Sequence, residues 1–245
     1  MTAMSSYNTF AQFYDRLTEN VDYEVRSNYI SDFFCEYGNG GRRVLDLACG
    51  TGSIAQNLAD KGYDIIGIDL SEEMLTLAKE KCPESIFIKA DMTDFALPEK
   101  VDFCLCSLDA VNHLTELEQV MNCFECVNNS LNNGGLFVFD VNTLFKHREV
   151  LADNTFIYDE EDFFLSWDNN YTDDDIVEIY LDFFIFNGKN YDRFSERFKE
   201  KAYSTDALIK ALGDDFEIIG IYDELTLNTP EDDSERLYFV CKKVN

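Results

Sequence analysis

The sequence predicts an α/β protein. Its expected core is a doubly wound, mostly parallel sheet, with a small antiparallel β-sheet inserted late in the chain. Three observations predict this. Short apolar runs alternate with helically spaced segments from residue 43 to 141, as in a parallel sheet covered on both faces. The first run leads into a Gly-x-Gly turn at Gly50-Thr-Gly52. Residues 155–203 then lose the helices and become aromatic-rich and β-prone. With 46% hydrophobic residues, 21 Phe and 13 Tyr in 245 positions, the chain can bury a large core, which excludes disorder.

The elements follow in order. Residues 7–37 space their apolar groups as helices do (Phe10, Phe13, Tyr14, Leu17, then Val25, Tyr29, Ile30, Phe33, Phe34), and Gly38 to Gly41 end them. Val44–Leu47 reads as a buried strand. Ser53–Lys61 is a helix with Ile54, Ala55, Leu58 and Ala59 on one face and Gly62 as its stop. Tyr63–Asp69 is the second strand. Ser71 caps the next helix, whose first turn holds Glu72 and Glu73 and whose last holds Lys79 and Lys81, matching the helix dipole. Strands at Ser85–Ala90 and Val101–Leu108 come next, then a helix from Thr115 to Leu131. Gly134-Gly135 turns the chain into the fifth strand, Leu136–Val141. Three consecutive β segments follow (Thr155–Trp167, Ile176–Asn187, Phe194–Tyr203), and a helix at Thr205–Leu212 with strands at Phe216–Tyr222 and Arg236–Lys242 closes the fold. The expected division is a cofactor domain of residues 1–145 and 204–245, helices 7–37 serving as its cover, and an inserted lid of residues 146–203.

The net charge of -28 opposes binding to phosphate backbones or anionic bilayers. No apolar run approaches the ~20 residues of a membrane span, and no basic-then-apolar leader opens the chain. The expected setting is therefore cytoplasmic, without nucleic-acid or membrane partners. The eight Cys lie mostly in apolar segments, as reduced thiols do. Cys123-Phe-Glu-Cys126 sits in a helical pattern, and with His113 and His147 as the chain's two histidines no second ligand pair completes it, so no metal centre is expected.

A ligand cradle is expected at Ala48-Cys-Gly-Thr-Gly52, where glycines let backbone approach a ligand closely. Asp69, at the end of the second strand roughly 20 residues on, stands where a carboxylate accepts from ribose hydroxyls. To this point a nicotinamide dinucleotide and S-adenosylmethionine both remain open. Ala55 at the third fingerprint position decides little. Asp46 ahead of the glycines suits a ligand carrying positive charge and disfavours a pyrophosphate. Asp91, ending the third strand, offers an acceptor to an adenine amino group.

Taken together, the chain resembles the class I S-adenosylmethionine-dependent methyltransferases of the small-molecule branch, which implies their Rossmann-like fold: a doubly wound, mostly parallel seven-stranded sheet whose last strand is antiparallel. The matching residues are Val44-Leu-Asp-Leu-Ala-Cys-Gly-Thr-Gly52, Gly67-Ile-Asp-Leu-Ser71 with Met74, and Ala90-Asp-Met92. Tyr7-x-x-Phe10, Phe13-Tyr14-Asp15 and Phe139-Asp-Val-Asn142 also match. The family pattern often has Gly where Ala48 stands. The resemblance implies backbone contact from Ala48, Gly50 and Gly52 to the methionyl part of the cofactor, and ribose binding by Asp69. It further implies that Leu70 and Met74 sandwich the adenine, that Asp91 and Met92 read its edge, that Tyr14 covers the cofactor and that Ser107 lies beside it.

Methyl transfer from a sulfonium is an in-line displacement that needs alignment more than acid or base. The candidates for chemistry follow the fourth strand. His113 titrates near neutrality and can take a proton from an amine or hydroxyl; Asp109 can orient a cationic nucleophile. Asn142, at a strand end, is a pocket candidate. The inserted sheet offers Trp167, Tyr171, Tyr180, Arg193 and Arg197 as linings. The predicted function is methyl transfer to an N or O nucleophile of a small molecule. Competing readings are a non-catalytic binder of S-adenosylmethionine or S-adenosylhomocysteine and a nicotinamide-dependent oxidoreductase. Nothing in the residues fixes the oligomeric state.

Overall fold

The structure is a computed structural model describing residues 6–244, without the side chains of 6–10 and 12. The expectations for Tyr7 and Phe10 therefore fall outside the described side chains. The N-terminal segment divides into α1 (Ser6–Leu17) and α2 (Tyr23–Tyr37), the latter capped by Asp22, whose carboxylate accepts from the Val25 amide. β1 (Arg43–Leu47), α3 (Ser53–Asp60), β2 (Asp64–Asp69), α4 (Glu72–Lys81), β3 (Ile86–Lys89) and β4 (Val101–Cys106) then alternate. A short 3-10 turn at Ala110–His113, α5 (Leu117–Ser130) and β5 (Leu131–Asn142) follow.

β5 starts earlier than the glycine pair suggests. Val101 pairs with Leu131, and Phe103 already pairs with Leu136, so Asn132–Gly135 bulge out of the ladder instead of preceding it. After β5 comes a π-helical turn at Lys146–Leu151, for which the sequence gives no period. The inserted sheet has four strands, not three: β6 (Thr155–Asp159), β7 (Phe163–Tyr171), β8 (Ile176–Phe186) and β9 (Tyr191–Lys201). The acidic turn Glu160-Glu-Asp162 splits what reads as one β-prone run. α6 (Thr205–Leu212), β10 (Phe216–Asp223) and β11 (Arg236–Lys243) complete the chain.

The large sheet has the order β10-β11-β5-β4-β1-β2-β3, with β11 antiparallel to both neighbours and the other pairings parallel. The order reverses between β1 and β4, and the crevice at the carboxyl ends of those strands is where open α/β sheets bind ligands. Strand alternation sends Leu45, Leu47, Phe137 and Phe139 to the face covered by α5 and α6, and Val44, Phe103, Leu136 and Val138 to the face covered by α2 and α3. The small sheet β6-β7-β8-β9 has its own apolar cluster, centred on Leu165, Ile179 and Phe183. Phe13 and Leu17 of α1 pack against that cluster, so the N-terminal helix joins the second sheet to the first. No helix among the described residues is long and apolar enough to cross a membrane.

Candidate active site

The turn after β1 is built from backbone. Ala48, Gly50 and Gly52 all take left-handed conformations (φ 53°, 53° and 77°). Ala48 adopts this geometry without being glycine, at a cost of about 1–2 kcal/mol. Cys49 donates to the Ile68 carbonyl at 3.0 Å, tying the turn to β2. A Cβ on Gly52 would meet the Ala78 Cβ at 2.9 Å, so the glycine also lets α3 start against α4. A Cβ on Gly50 would find the Tyr14 ring 4.0 Å away, which sets that ring over the turn.

Two carboxylates flank the turn differently. Asp69 Oδ2 accepts from the Gly50 amide at 2.9 Å and Oδ1 from the Ser71 amide at 2.8 Å, an arrangement that fixes the side chain and leaves lone pairs free for hydroxyls. Asp46 is 3% exposed, and its Oδ2 has no partner among the described residues. Burial, with Asp69 nearby, pushes its pKa up to about 8. A buried carboxyl held this way gains most from a positive neighbour.

The other residues expected at the cofactor have mixed surroundings. Leu70 is 63% exposed at the tip of β2, whereas Met74 is buried in α4. Asp91 is exposed, with Oδ1 accepting from the backbone and hydroxyl of Thr93 at 2.8 Å. Met92 packs against the core below α5. Ser107 is buried after β4, its hydroxyl without a partner among the described residues. α1 is held over the turn by Lys81, whose ammonium reaches Asp15 at 2.7 Å, Thr51 at 2.9 Å and Ser53 at 2.8 Å.

Beyond β4 a second polar group forms. Leu108 and Asp109 both have positive φ, and the buried Asp140 carboxylate of β5 accepts both of their amides at 2.8 Å. Arg236 of β11 bonds Asp140 and reaches Asp109 at 2.6 Å, so Asp109 is held ionised chiefly by that guanidinium despite its burial. Fully buried Asn112 donates to the carbonyls of Asn142 and Lys201 and accepts from the Asn142 amide, stapling the 3-10 turn to β5 and β9. That staple brings His113 to Glu200, Nε2 to Oε1, at 3.9 Å. The His113 side chain is 44% exposed; its pKa is lowered by desolvation, with Asp109 and Asp69 opposing.

Glu200 is the functional candidate that sequence reasoning missed. It is buried, and burial drives its pKa up to about 8. Its signal was strand parity: Phe194, Glu196 and Phe198 lie on the more buried side of β9, and Glu200 continues that row. The ligand atoms of Asp109, His113 and Glu200 all lie within 4.8 Å of one another, close enough to share one small cation, a grouping the expected absence of a metal centre overlooked. Cys123 and Cys126 are free thiols in α5.

Of the expected acceptor residues, Asn142 joins this group, its amide nitrogen 3.4 Å from Glu200. Trp167, Tyr180 and Arg193 find partners inside the small sheet. Trp167 donates to Asn169 at 2.8 Å, the Tyr180 hydroxyl to Glu178 at 3.0 Å, and Arg193 pairs with Asp182 at 2.8 Å. Arg197 lies over the Tyr180 ring, and Tyr171 bonds Asp175.

Comparison with known proteins agrees with this geometry. Residues 44–135 match a family described as Methyltransferase domain. YqeM of Bacillus subtilis (strain 168), which is named as a methyltransferase, is 34% identical over 97% of both chains. A crystal structure of an S-adenosylmethionine-dependent methyltransferase from Clostridium acetobutylicum ATCC 824 superimposes with TM-score 0.89 at 33% identity, covering 98% of this chain and 99% of that one. The chain belongs to the class I S-adenosylmethionine-dependent methyltransferases. A sugar dimethyltransferase of Streptomyces venezuelae, dTDP-3-amino-3,4,6-trideoxy-alpha-D-glucopyranose N,N-dimethyltransferase, is 29% identical over about half of each chain (51% and 52%). The matched family segment runs from β1 to the β5 bulge and leaves out the small sheet, which the Bacillus and Clostridium proteins do cover.

Proposed function

We propose that this chain transfers a methyl group from S-adenosylmethionine to a nitrogen or oxygen nucleophile of a small molecule. The observation that carries the reading is the Asp46 carboxyl, buried beside the glycine turn with one oxygen bare. A cationic methionyl group would satisfy it; a pyrophosphate would not. The room beneath the Tyr14 ring at Gly50 and the Asp69 carboxylate, fixed by two backbone amides, fit the same cofactor. In this reading Gly50 and Gly52 take the methionyl end, Asp69 the ribose, and Leu70 with Met74 the adenine.

When bound, S-adenosylmethionine supplies a methyl group already activated by its sulfonium. The protein's part is to align the nucleophile, exclude water and manage one proton. Tyr14 and α1 close the turn from above. His113, kept neutral by its lowered pKa, is the base that takes the acceptor's proton, and its exposed edge returns it to water.

The test is release of S-adenosylhomocysteine with a panel of small amines, phenols and carboxylates. Turnover with at least one is expected, and His113→Gln should cut kcat at least tenfold with S-adenosylhomocysteine affinity unchanged. Tight cofactor binding with no turnover across the panel would make the chain a binder instead.

A further inference from the structure

We infer that Asp109, His113 and Glu200 form the subsite for a protonated amine, so that the acceptor is an ammonium-bearing small molecule and Glu200 is the residue that selects it over an alcohol. This rests on the methyltransferase reading above and narrows its substrate class.

The argument is a count of donors and acceptors. His147 is fully buried, and its Nδ1 lies 3.1 Å from the Asp175 carbonyl. A carbonyl only accepts, so Nδ1 carries the hydrogen and Nε2 is left as a bare acceptor. That Nε2 has no partner among the described residues and faces Glu200 Oε2 from 3.8 Å. Asn142, 4% exposed, turns its Nδ2 toward the same carboxyl and leaves its Oδ1 unpartnered. The corner therefore holds the carboxyl groups of Asp109 and Glu200, an unpartnered imidazole lone pair and the unpartnered oxygen of Asn142, with the Asn142 amide nitrogen as a donor turned toward Glu200. Two cations stand near this corner: Arg236 is already engaged by Asp140 and Asp109, and Lys146 is shared between Asp109 and the carboxylates of Glu224 and Glu235. Buried acceptors without donors are costly. The missing component is a guest with several N–H donors and a positive charge. A hydroxyl brings one donor and no charge.

The position suits the chemistry. His113 ends the 3-10 turn that follows β4, the strand beside β1 where the sheet order reverses, so the subsite adjoins the crevice at the strands' carboxyl ends. A protonated amine gives one proton to His113. Its freed lone pair then forms the N–C bond as the C–S bond breaks and sulfur keeps the electron pair. Glu200 is stored largely neutral by burial, and an arriving cation would draw it into its ionised form. The groups facing Glu200 are His113, Asp109, Arg236, Asn142, Lys146 and His147, so no competing carboxylate besides Asp109 enters.

The experiment uses the chain's two histidines, whose imidazole resonances give two separate reporters. The full-length protein saturated with S-adenosylhomocysteine is titrated at millimolar concentration with cyclohexylamine and with cyclohexanol, followed by imidazole shifts of 15N-labelled histidine. Cyclohexylammonium should shift His113 saturably and at least tenfold more tightly than cyclohexanol. Glu200→Gln should remove that preference while S-adenosylhomocysteine still binds and the fold remains intact by circular dichroism. Equal response to both probes, no response to the amine, or an unaltered preference in E200Q would overturn the inference. Saturation of the same shifts by micromolar Mg2+ would also overturn it, assigning the corner to a metal. Loss of S-adenosylhomocysteine binding in the wild type would instead sink the methyltransferase reading itself, which separates the two failures.

Discussion

The two sides of the cleft are made differently. The glycine-turn side, proposed to hold the cofactor, is backbone. Three left-handed residues, two amides on Asp69 and one amide on the Ile68 carbonyl shape it, drawn from two short segments, 48–52 and 68–71. The facing side, proposed to hold the acceptor, is side chain. Asp109, His113, Asn142 and Glu200 come from the 3-10 turn after β4, the end of β5 and the end of β9, and Asn112, Asp140 and Arg236 hold them there. A backbone cradle can be conserved in form while a side-chain cluster changes its preference by one substitution.

That contrast can be broken or sharpened by substitution, beginning with the largest effect. Asp140→Ala should cost about 3–5 kcal/mol, because it takes the buried carboxylate from Arg236, leaving it Asp109, and strips the acceptor from two amides in left-handed backbone. Chemical denaturation measures this, and a loss below ~1 kcal/mol would mean the acceptor side tolerates disorder its geometry denies. Gly52→Val should cost about 2–4 kcal/mol, since valine meets both φ 77° and the Ala78 Cβ. Asp69→Ala should weaken S-adenosylhomocysteine binding by about 1.5–3 kcal/mol in calorimetry, as hydrogen bonds involving a charged group do. Unchanged affinity would remove the ribose assignment.

Smaller effects separate the sides by pH and salt. Asp46 and Glu200 have raised folded pKa values, so the native state binds more protons than the unfolded chain over pH 4 to 8. Stability from these groups is present at the acid end and is lost as pH rises toward 8. Asp46→Asn should flatten that decline in thermal melts across the series; a decline as steep as wild type would count against it. Lys81→Met loosens a partly exposed ion pair worth about 0–1 kcal/mol, so cofactor affinity should drop no more than about fivefold, with the wild-type value itself falling as salt rises.

The same contrast explains what could be read beforehand. Val44–Gly52, Gly67–Ser71 and the helix caps follow rules of local sequence, and seven strands with their order of appearance were legible from alternation alone. The acidic turn 160–162 was not, because its flanks are equally β-prone and only pairing between Asp159 and Phe164 closes the hairpin. The Asn132–Gly135 bulge escaped because Gly-Gly signals a turn whether or not the ladder resumes around it. Glu200 escaped for a deeper reason. A glutamate between two lysines reads as solvated charge, and only β9 lying beside the 3-10 turn makes it a buried one. His113 and Asp109 were visible as residue types near a strand end, but the partner that gives them a purpose is 87 positions from His113.

Helix α1 carries ion pairs at two adjacent positions. Asp15 reaches the glycine side through Lys81, and its neighbour Arg16 forks onto Asp162 in the hairpin of the small sheet at 2.7 and 2.9 Å. Adjacent rungs of one short coil thus button onto opposite walls. One short helix carries both loads, the glycine turn on one residue and the small sheet on the next.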